Sequence, residues 1–361
     1  MHALATRIDA DVPGHVHRVL ADYFESRRTQ TDSIGADVTD AVGALADFVL
    51  CGGKRIRPTF AWWGWRGAGG ADDGPVAEPV LRAISALELL QAGALLHDDL
   101  MDASSVRRGA PTVHVAFAAR HRENRLHGEP ERFGLAAAVL LGDIALTWAD
   151  DRLTTAGLPA DALARAIPPW QAMRTEMLAG QYIDMLTQAQ GDESADAALR
   201  IDRWKTAAYT VRRPLHIGAA IAGADPAVLA AYDRFGADLG IAFQLRDDLL
   251  GVFGDPAVTG KPAGDDIREG KRTLLMALGM RQAAPTDAES LRSALGQPDL
   301  TADDVAQVRT LLVNTGAVAA VEQRITDLTT AALDTITTAP IKPPAAERLA
   351  ELAITATRRD R

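Results

Sequence analysis

Alanine and leucine recur at three- and four-residue spacing along almost the whole chain, and period-two runs of Val, Ile, Thr and aromatics are missing. That pattern predicts an all-α protein. Clusters of turn-forming residues mark breaks at 66–79 (RGAGGADDGPVAEP), 121–132 (HRENRLHGEPER), 190–196 (QGDESAD), 254–270 (GDPAVTGKPAGDDIREG) and 284–290 (APTDAES). None is long enough to read as an interdomain linker. The expectation is one large helical domain over 1–361, with a mobile N-terminus to about residue 35. The stretch from Leu81 to Met101 is apolar on nearly every face apart from Arg82 and Glu88, the signature of a central helix. The helix predicted around Phe235 to Val252 has the same design.

Both apolar stretches carry paired acids: Asp98, Asp99 and Asp102 in LLHDDLMDASSVRRG, and Asp247 and Asp248 in FQLRDDLLGVFGD. Like charges this close repel and lose hydration when partly buried, so a resident cation or a raised pKa must offset the cost. A metal site is the leading reading. Asp98 and Asp102 are four apart, which on a helix puts both carboxylates on one face. An oxygen-only set of this kind suits magnesium, which takes few carboxylates, keeps waters and shares its sphere with substrate phosphates. HDDLMD and RDDLLG form a faint internal repeat that only tertiary folding could bring together.

Basic groups stand apart from these acids. CGGKRIRP (51–58) sets Lys54, Arg55 and Arg57 after two glycines, an arrangement that can bring three cations and backbone amides to one anion. Arg107 and Arg108 follow the first acidic cluster by one to two turns, with RRG ending that helix. Lys205 and Thr206 lie in RWKTAAYT, and Lys261 and Lys271 in the loop after the second pair. Any one basic doublet is ordinarily a solvated helix face. Two magnesium-type clusters together with several separate cationic sites imply more than one polyanionic phosphate group.

Composition narrows the alternatives. A net charge of −10 disfavours nonspecific nucleic-acid binding, and a single cysteine, Cys51, excludes an internal disulfide framework and fits a reducing cytoplasm. The charged N-terminal segment is no secretory signal. The best transmembrane candidate, Leu135 to Ala149, falls short of the ~20 residues a bilayer needs, so no transmembrane segment is expected. GDPAVTGKP fails as a phosphate-binding P-loop, because five residues separate Gly254 from Gly260 and Pro262 replaces the Ser/Thr. His114, His121 and His127 lack zinc spacing and read as solvated loop or helix-end residues. Trp62, Trp63 and Trp65 read as core or dimer-contact residues, and no activated nucleophile is evident.

GGKRIRP, LLHDDLMDASSVRRG, GQYIDM, KTAAYT, FQLRDDLLGVFGD and TGKPAGDDIREGKRT, in that order, resemble the motifs of the trans-isoprenyl diphosphate synthases (polyprenyl synthetases). The resemblance implies a helical bundle of the isoprenoid-synthase type with a central substrate cavity. It implies that Asp98 and Asp102 bind magnesium from one side of an allylic diphosphate and Asp247 from the other, three ions in all. Asp99, Asp248 and Lys205 complete the catalytic set. Arg107, Lys205, Thr206, Gln244 and Lys261 would hold the allylic substrate, with Lys271 closing over it. Lys54, Arg57, Gln91 and Arg108 would hold isopentenyl diphosphate without a metal. Gly251 stands where many members carry a third aspartate; Asp255, Asp265 and Asp266 are candidates for holding metal-bound water. The family further implies a homodimer.

By the same resemblance, a bulky aromatic four or five positions before the first aspartate limits product length. Those positions are Ala94 and Gly93 here, which predicts an open hydrocarbon path with its floor at Leu89, Leu90 and Trp148. The expected product is geranylgeranyl diphosphate (C20), with farnesyl or C25 and longer products as alternatives. A class I terpene cyclase has no need of Lys54, Arg57 and Arg108. A noncatalytic subunit of a heteromeric synthase would be expected to lose the aspartates or basic ligands that this chain keeps.

Overall fold

The computed structural model describes residues 4–71, 75–255 and 264–358, so Lys261 lies outside the described residues. In chain order the helices are α1 (Leu4–Ala10), α2 (Val12–Ile34), α3 (Ala36–Leu50), α4 (Ile56–Gly67) and α5 (Ala77–Met101). A two-stranded hairpin, β1 (Val106–Arg107) and β2 (Ala110–Pro111), precedes α6 (Val113–Glu123), α7 (Pro130–Thr154), α8 (Ala160–Gln190) and α9 (Ala195–Ile201). A π-helix (Asp202–Arg212) leads into α10 (Arg213–Ala222) and α11 (Pro226–Phe253). Beyond them lie α12 (Asp265–Arg268), α13 (Leu274–Gln282), α14 (Pro285–Ala294), α15 (Ala302–Asn314), α16 (Ala317–Thr338) and α17 (Ala345–Thr357). The all-α expectation holds.

The chain forms two compact units. One comprises Met1–Ser105, Pro111–Trp170 and Pro214–Val228; the other comprises Val106–Ala110, Gln171–Arg213 and Leu229–Arg361.

In the first unit α5 is the core. Its Ile84, Leu87, Leu89 and Leu90 are fully buried, and each such side chain contributes about 1.5–3 kcal/mol of apolar transfer energy. Trp62, Trp63 and Trp65 on α4 are also core residues, and the Trp62 indole donates to Asp9 on α1 at 2.7 Å. The N-terminal segment, expected to be mobile, is helical from Leu4 to Ile34. It buries Ile8, Val16, Leu20 and Phe24, so apolar spacing outweighs the scattered charges there. By length and composition α5 and α7 each could cross a bilayer, contrary to the sequence expectation, because α7 runs past Leu135 and Ala149 at both ends. The apolar window of α5 is 78% buried, which accounts for it as core; that of α7 is 33% buried.

In the second unit α11 packs Leu245, Leu249 and Val252 against Leu275 of α13, Leu312 of α15 and Val321 of α16. Arg246 fastens the assembly, donating to Glu322 at 2.6 and 2.7 Å and to the Thr357 carbonyl at 2.8 Å. One predicted break is a helix start instead. APTDAES opens α14 with Pro285 in its first turn, where a missing N–H costs nothing. Residue His121 is likewise not solvated: it is buried, with Nε2 3.1 Å from the His127 carbonyl.

Candidate active site

The first acidic cluster occupies the last turn of α5. Asp102 is the C-cap, and its N–H still donates to the Asp98 carbonyl at 2.9 Å. The helical register therefore continues through it, placing Asp98 and Asp102 along one face. Asp99 is turned about 100° from Asp98 and is buried. The helix then stops, earlier than the sequence suggested. Ala103 adopts positive φ, and Arg107 and Arg108 belong to the hairpin, with Arg108 (φ 54°) and Gly109 (φ 75°) forming its turn. Positive φ at two successive turn residues matches the twist of a tight hairpin.

The basic loop before α4 does not offer three cations. Arg55 points inward, with Nη1 2.5 Å from Glu88 Oε2 on α5, leaving Lys54 exposed and Arg57 half-buried. A buried carboxylate in the middle of an apolar helix needs such a partner; this explains Glu88.

The second cluster lies in the second unit. Asp247 is half-buried and Asp248 buried, within the last two turns of α11. Gln244 donates to Asp248 Oδ1 at 2.6 Å, while Asp248 Oδ2 is buried and has no hydrogen-bond partner among the described residues. Burial, then Asp202 and Asp266, hold the Asp248 carboxyl well above the ordinary range. Gly251 has a specific neighbour: a β-carbon there would fall inside the carboxylate of Asp266. The space a third aspartate would enter is already filled by a carboxylate from α12.

Three further acids complete this region, none singled out by the sequence reading. Lys205 Nζ lies 2.7 Å from Asp184 Oδ2, and Gln188 donates to the other oxygen at 3.1 Å. Asp202, three residues before Lys205, is buried, and its carboxyl is pushed up to about 8 by burial and by Asp184. Lys271 bridges Glu269 at 2.7 Å and Asp266 at 3.2 Å. Asp184 had a sequence signal, its place in the quoted GQYIDM. Asp202, between Ile201 and Arg203 with Arg200 and Lys205 close by, had no sequence signal. The glycine of that motif has a packing reason: a β-carbon on Gly180 would stand 2.6 Å from the Lys205 Cα. Gly240 on α11 accepts the same π-helix: a β-carbon there would stand 2.5 Å from Ala207 Cα. Bare backbone on α8 and α11 is what seats Lys205.

Of the chain-length residues, Gly93 departs from expectation. Its β-carbon direction meets Leu146 Cγ at 2.7 Å and the Gly142 carbonyl at 3.0 Å. Gly93 is therefore a close-packing position between α5 and α7, and Leu146 fills the space that the sequence reading left open. Ala94 is half-buried, and Leu89 and Leu90 are fully buried. Trp148 packs edge-on against Tyr23, 6.1 Å between ring centroids, and beside Phe24.

Both acidic pairs stand near helix C-termini, the end where the macrodipole already disfavours carboxylates and favours cations. Among the described residues no three His, Cys, Asp or Glu side chains converge into a metal cage. Magnesium needs none, since one or two carboxylates plus phosphate oxygens and water complete its sphere. The donor set therefore fits magnesium carried with a diphosphate.

A family model described as polyprenyl synthetase matches residues 40–312. The chain belongs to the polyprenyl synthetase family. It is 36% identical over 332 residues to the geranylgeranyl diphosphate synthase of Mycobacterium tuberculosis, covering 90% of this chain and 85% of that one. It is 33% identical to the geranylfarnesyl diphosphate synthase of Aeropyrum pernix, covering 78% and 82%. A solved geranylgeranyl pyrophosphate synthase from Corynebacterium glutamicum, complexed with isoprenyl diphosphate and magnesium, has a TM-score of 0.94 at 48% identity. That match covers 96% of this chain and 98% of the other.

Proposed function

We propose that this polyprenyl synthetase condenses isopentenyl diphosphate with an allylic diphosphate and releases geranylgeranyl diphosphate. The observation that carries the reading is the pair of acidic clusters, Asp98 with Asp102 and Asp247 with Asp248, near the C-termini of apolar helices, where the macrodipole favours a cation. Asp98, Asp102 and Asp247 would hold magnesium, with three ions as the family pattern implies. The metal, when bound, neutralises charge that builds on the departing diphosphate.

The rest of the chemistry falls to the chain. Lys205 and Lys271 transfer from their carboxylate partners to diphosphate oxygens, joined by Arg107, Thr206 and Lys261. Gln244 orients Asp248. These charges stabilise the leaving diphosphate, so the allylic C–O bond breaks heterolytically. Apolar helix faces keep water from the resulting carbocation. Lys54, Arg57, Gln91 and Arg108 fix isopentenyl diphosphate so that its double bond attacks the cation. The new C–C bond forms, and the proton lost from the isopentenyl unit passes to the released diphosphate.

The small Ala94 supports C20, and C15 or C25 are the competing products. Product analysis of the purified chain with magnesium, isopentenyl diphosphate and each of dimethylallyl, geranyl and farnesyl diphosphate tests this. A C20 diphosphate is expected. Exclusive C15 places a block near Ala94, and no elongation by folded protein removes the reading.

We also assign the enzyme a homodimeric state. Leu178, Tyr182, Met185 and Leu186 form an exposed apolar stripe at i, i+4, i+7 and i+8 on α8, with Tyr182 64% exposed. A stripe of that spacing fits a helix of a second copy.

A further inference from the structure

Arg55 occupies a position that no simple loop residue would choose. It sits in the left-handed region (φ 50°, ψ 38°) as the residue before α4, a conformation that is strained for a residue with a β-carbon. Such a residue persists only where its surroundings hold it. The guanidinium supplies that hold: Nη1 meets Glu88 Oε2 at 2.5 Å, and Nη2 donates to the carbonyls of Val49 at 2.7 Å and Leu50 at 3.3 Å. The Thr59 hydroxyl donates to the Arg55 carbonyl at 2.7 Å. One residue therefore caps the end of α3, opens α4 and is anchored to the middle of α5.

What those anchors bring together is specific. Lys54 immediately precedes Arg55, Arg57 follows it by two residues, and Gln91 lies three residues beyond Glu88 on the same side of α5. The Arg55 and Glu88 side chains are only 5% and 7% exposed. A buried ion pair is a poor source of net stability, because apolar residues of similar volume serve as well or better. Its distinctive contribution is geometry: two charges and a fixed fork admit one register of the loop on the helix.

We propose that Arg55 and Glu88 are positioning residues for isopentenyl diphosphate, holding Lys54 and Arg57 in register with Gln91. The inference rests on the assignment of those three residues to isopentenyl diphosphate. Neither partner of the pair touches the substrate. Both act through the loop.

The test is the apolar pair variant R55M/E88M, with Arg57→Ala as the control on the assignment itself. R55M/E88M is expected to fold with a lowered melting temperature, since the Val49 and Leu50 carbonyls lose their donor, and with a KM for isopentenyl diphosphate raised about tenfold or more, equivalent to about 1.4 kcal/mol. Its kcat and its KM for farnesyl diphosphate change little. Calorimetric binding of isopentenyl diphosphate without metal weakens by the same factor. E88Q, which keeps an acceptor for Arg55 but loses the charge, should show a smaller rise and serves if the apolar pair does not fold. A folded R55M/E88M, or failing that E88Q, with wild-type KM for isopentenyl diphosphate overturns the proposal. If Arg57→Ala also leaves that KM unchanged, the assignment of the loop to isopentenyl diphosphate falls instead.

Discussion

Gly251→Asp would restore the third aspartate that many family members carry, and the structure predicts that it harms this enzyme. The new β-carbon falls inside the Asp266 carboxylate, so Asp266 must leave its place beside Lys271. Overpacking of this kind costs about 1–3 kcal/mol, and the lost ion pair up to about 1 kcal/mol more. At about 2.1 cal/mol/K per residue, 361 residues give an unfolding entropy near 0.8 kcal/mol/K, so the melting temperature should fall by roughly 1–5 °C. The added charge also faces Asp248, whose carboxyl is already held up by Asp202 and Asp266. Thermal unfolding of metal-free protein and the magnesium concentration for half-maximal turnover are the assays. G251D should lower stability and raise the magnesium requirement, and so should D266A. The double variant G251D/D266A exchanges one carboxylate for the other and should recover at least half of both losses. A coupling energy above about 1 kcal/mol is the expected signature of two positions sharing one space. Strict additivity, or a G251D enzyme as stable as the parent, would refute the reasoning.

Asp202, with its carboxyl pushed up to about 8 from an unfolded value near 3.9, binds its proton more tightly in the folded state. The folded state then carries more protons than the unfolded one from about pH 4 to 8. Its contribution is fully present below about pH 4 and is lost as pH rises through about 8. Metal-free Asp202→Asn should show a smaller stability loss between pH 5 and pH 8 than the parent; an equal loss in denaturant titrations would contradict this. Gly93→Phe should destabilise the α5–α7 contact rather than simply shorten the product, and Leu146→Ala should partly rescue it. A stable Gly93→Phe enzyme making a shorter product would return Gly93 to the hydrocarbon path. Tyr182→Glu should shift the enzyme toward monomer in light-scattering chromatography, and an undisturbed dimer would move the interface away from α8.

The helices and acidic clusters were legible because their signals are local. Alanine and leucine spacing marks the α-helices, and a carboxylate pair inside an apolar run is conspicuous wherever it falls. The direction of a side chain at a junction is a different matter. Arg55 lies between Lys54 and Arg57, the two residues proposed to bind diphosphate, and resembles them in sequence, yet Glu88, 33 positions away, draws it inward. Gly93 reads equally as open space or as close packing, and Leu146 decides between them. The π-helix carrying Lys205 has no short-range signature at all. Its backbone is accommodated by Gly180 and Gly240, whose distance in sequence hides their common purpose. Lys205 and Lys271 are recognisable as cations, but their carboxylate partners emerge only from the folded chain.

The π-helix from Asp202 to Arg212 also bears on how this enzyme can change over evolutionary time. Its hydrogen bonds span one residue more than those of an α-helix, and such segments are rare outside functional sites. Loss of a single residue from it would permit ordinary α-helical bonding and redirect the side chains within the segment. Lys205 would then no longer face Asp184, and Ala207 would no longer sit on Gly240. Surface loops in general tolerate the gain or loss of residues. This segment can vary in residue type away from Lys205, Thr206 and Ala207, but not in length.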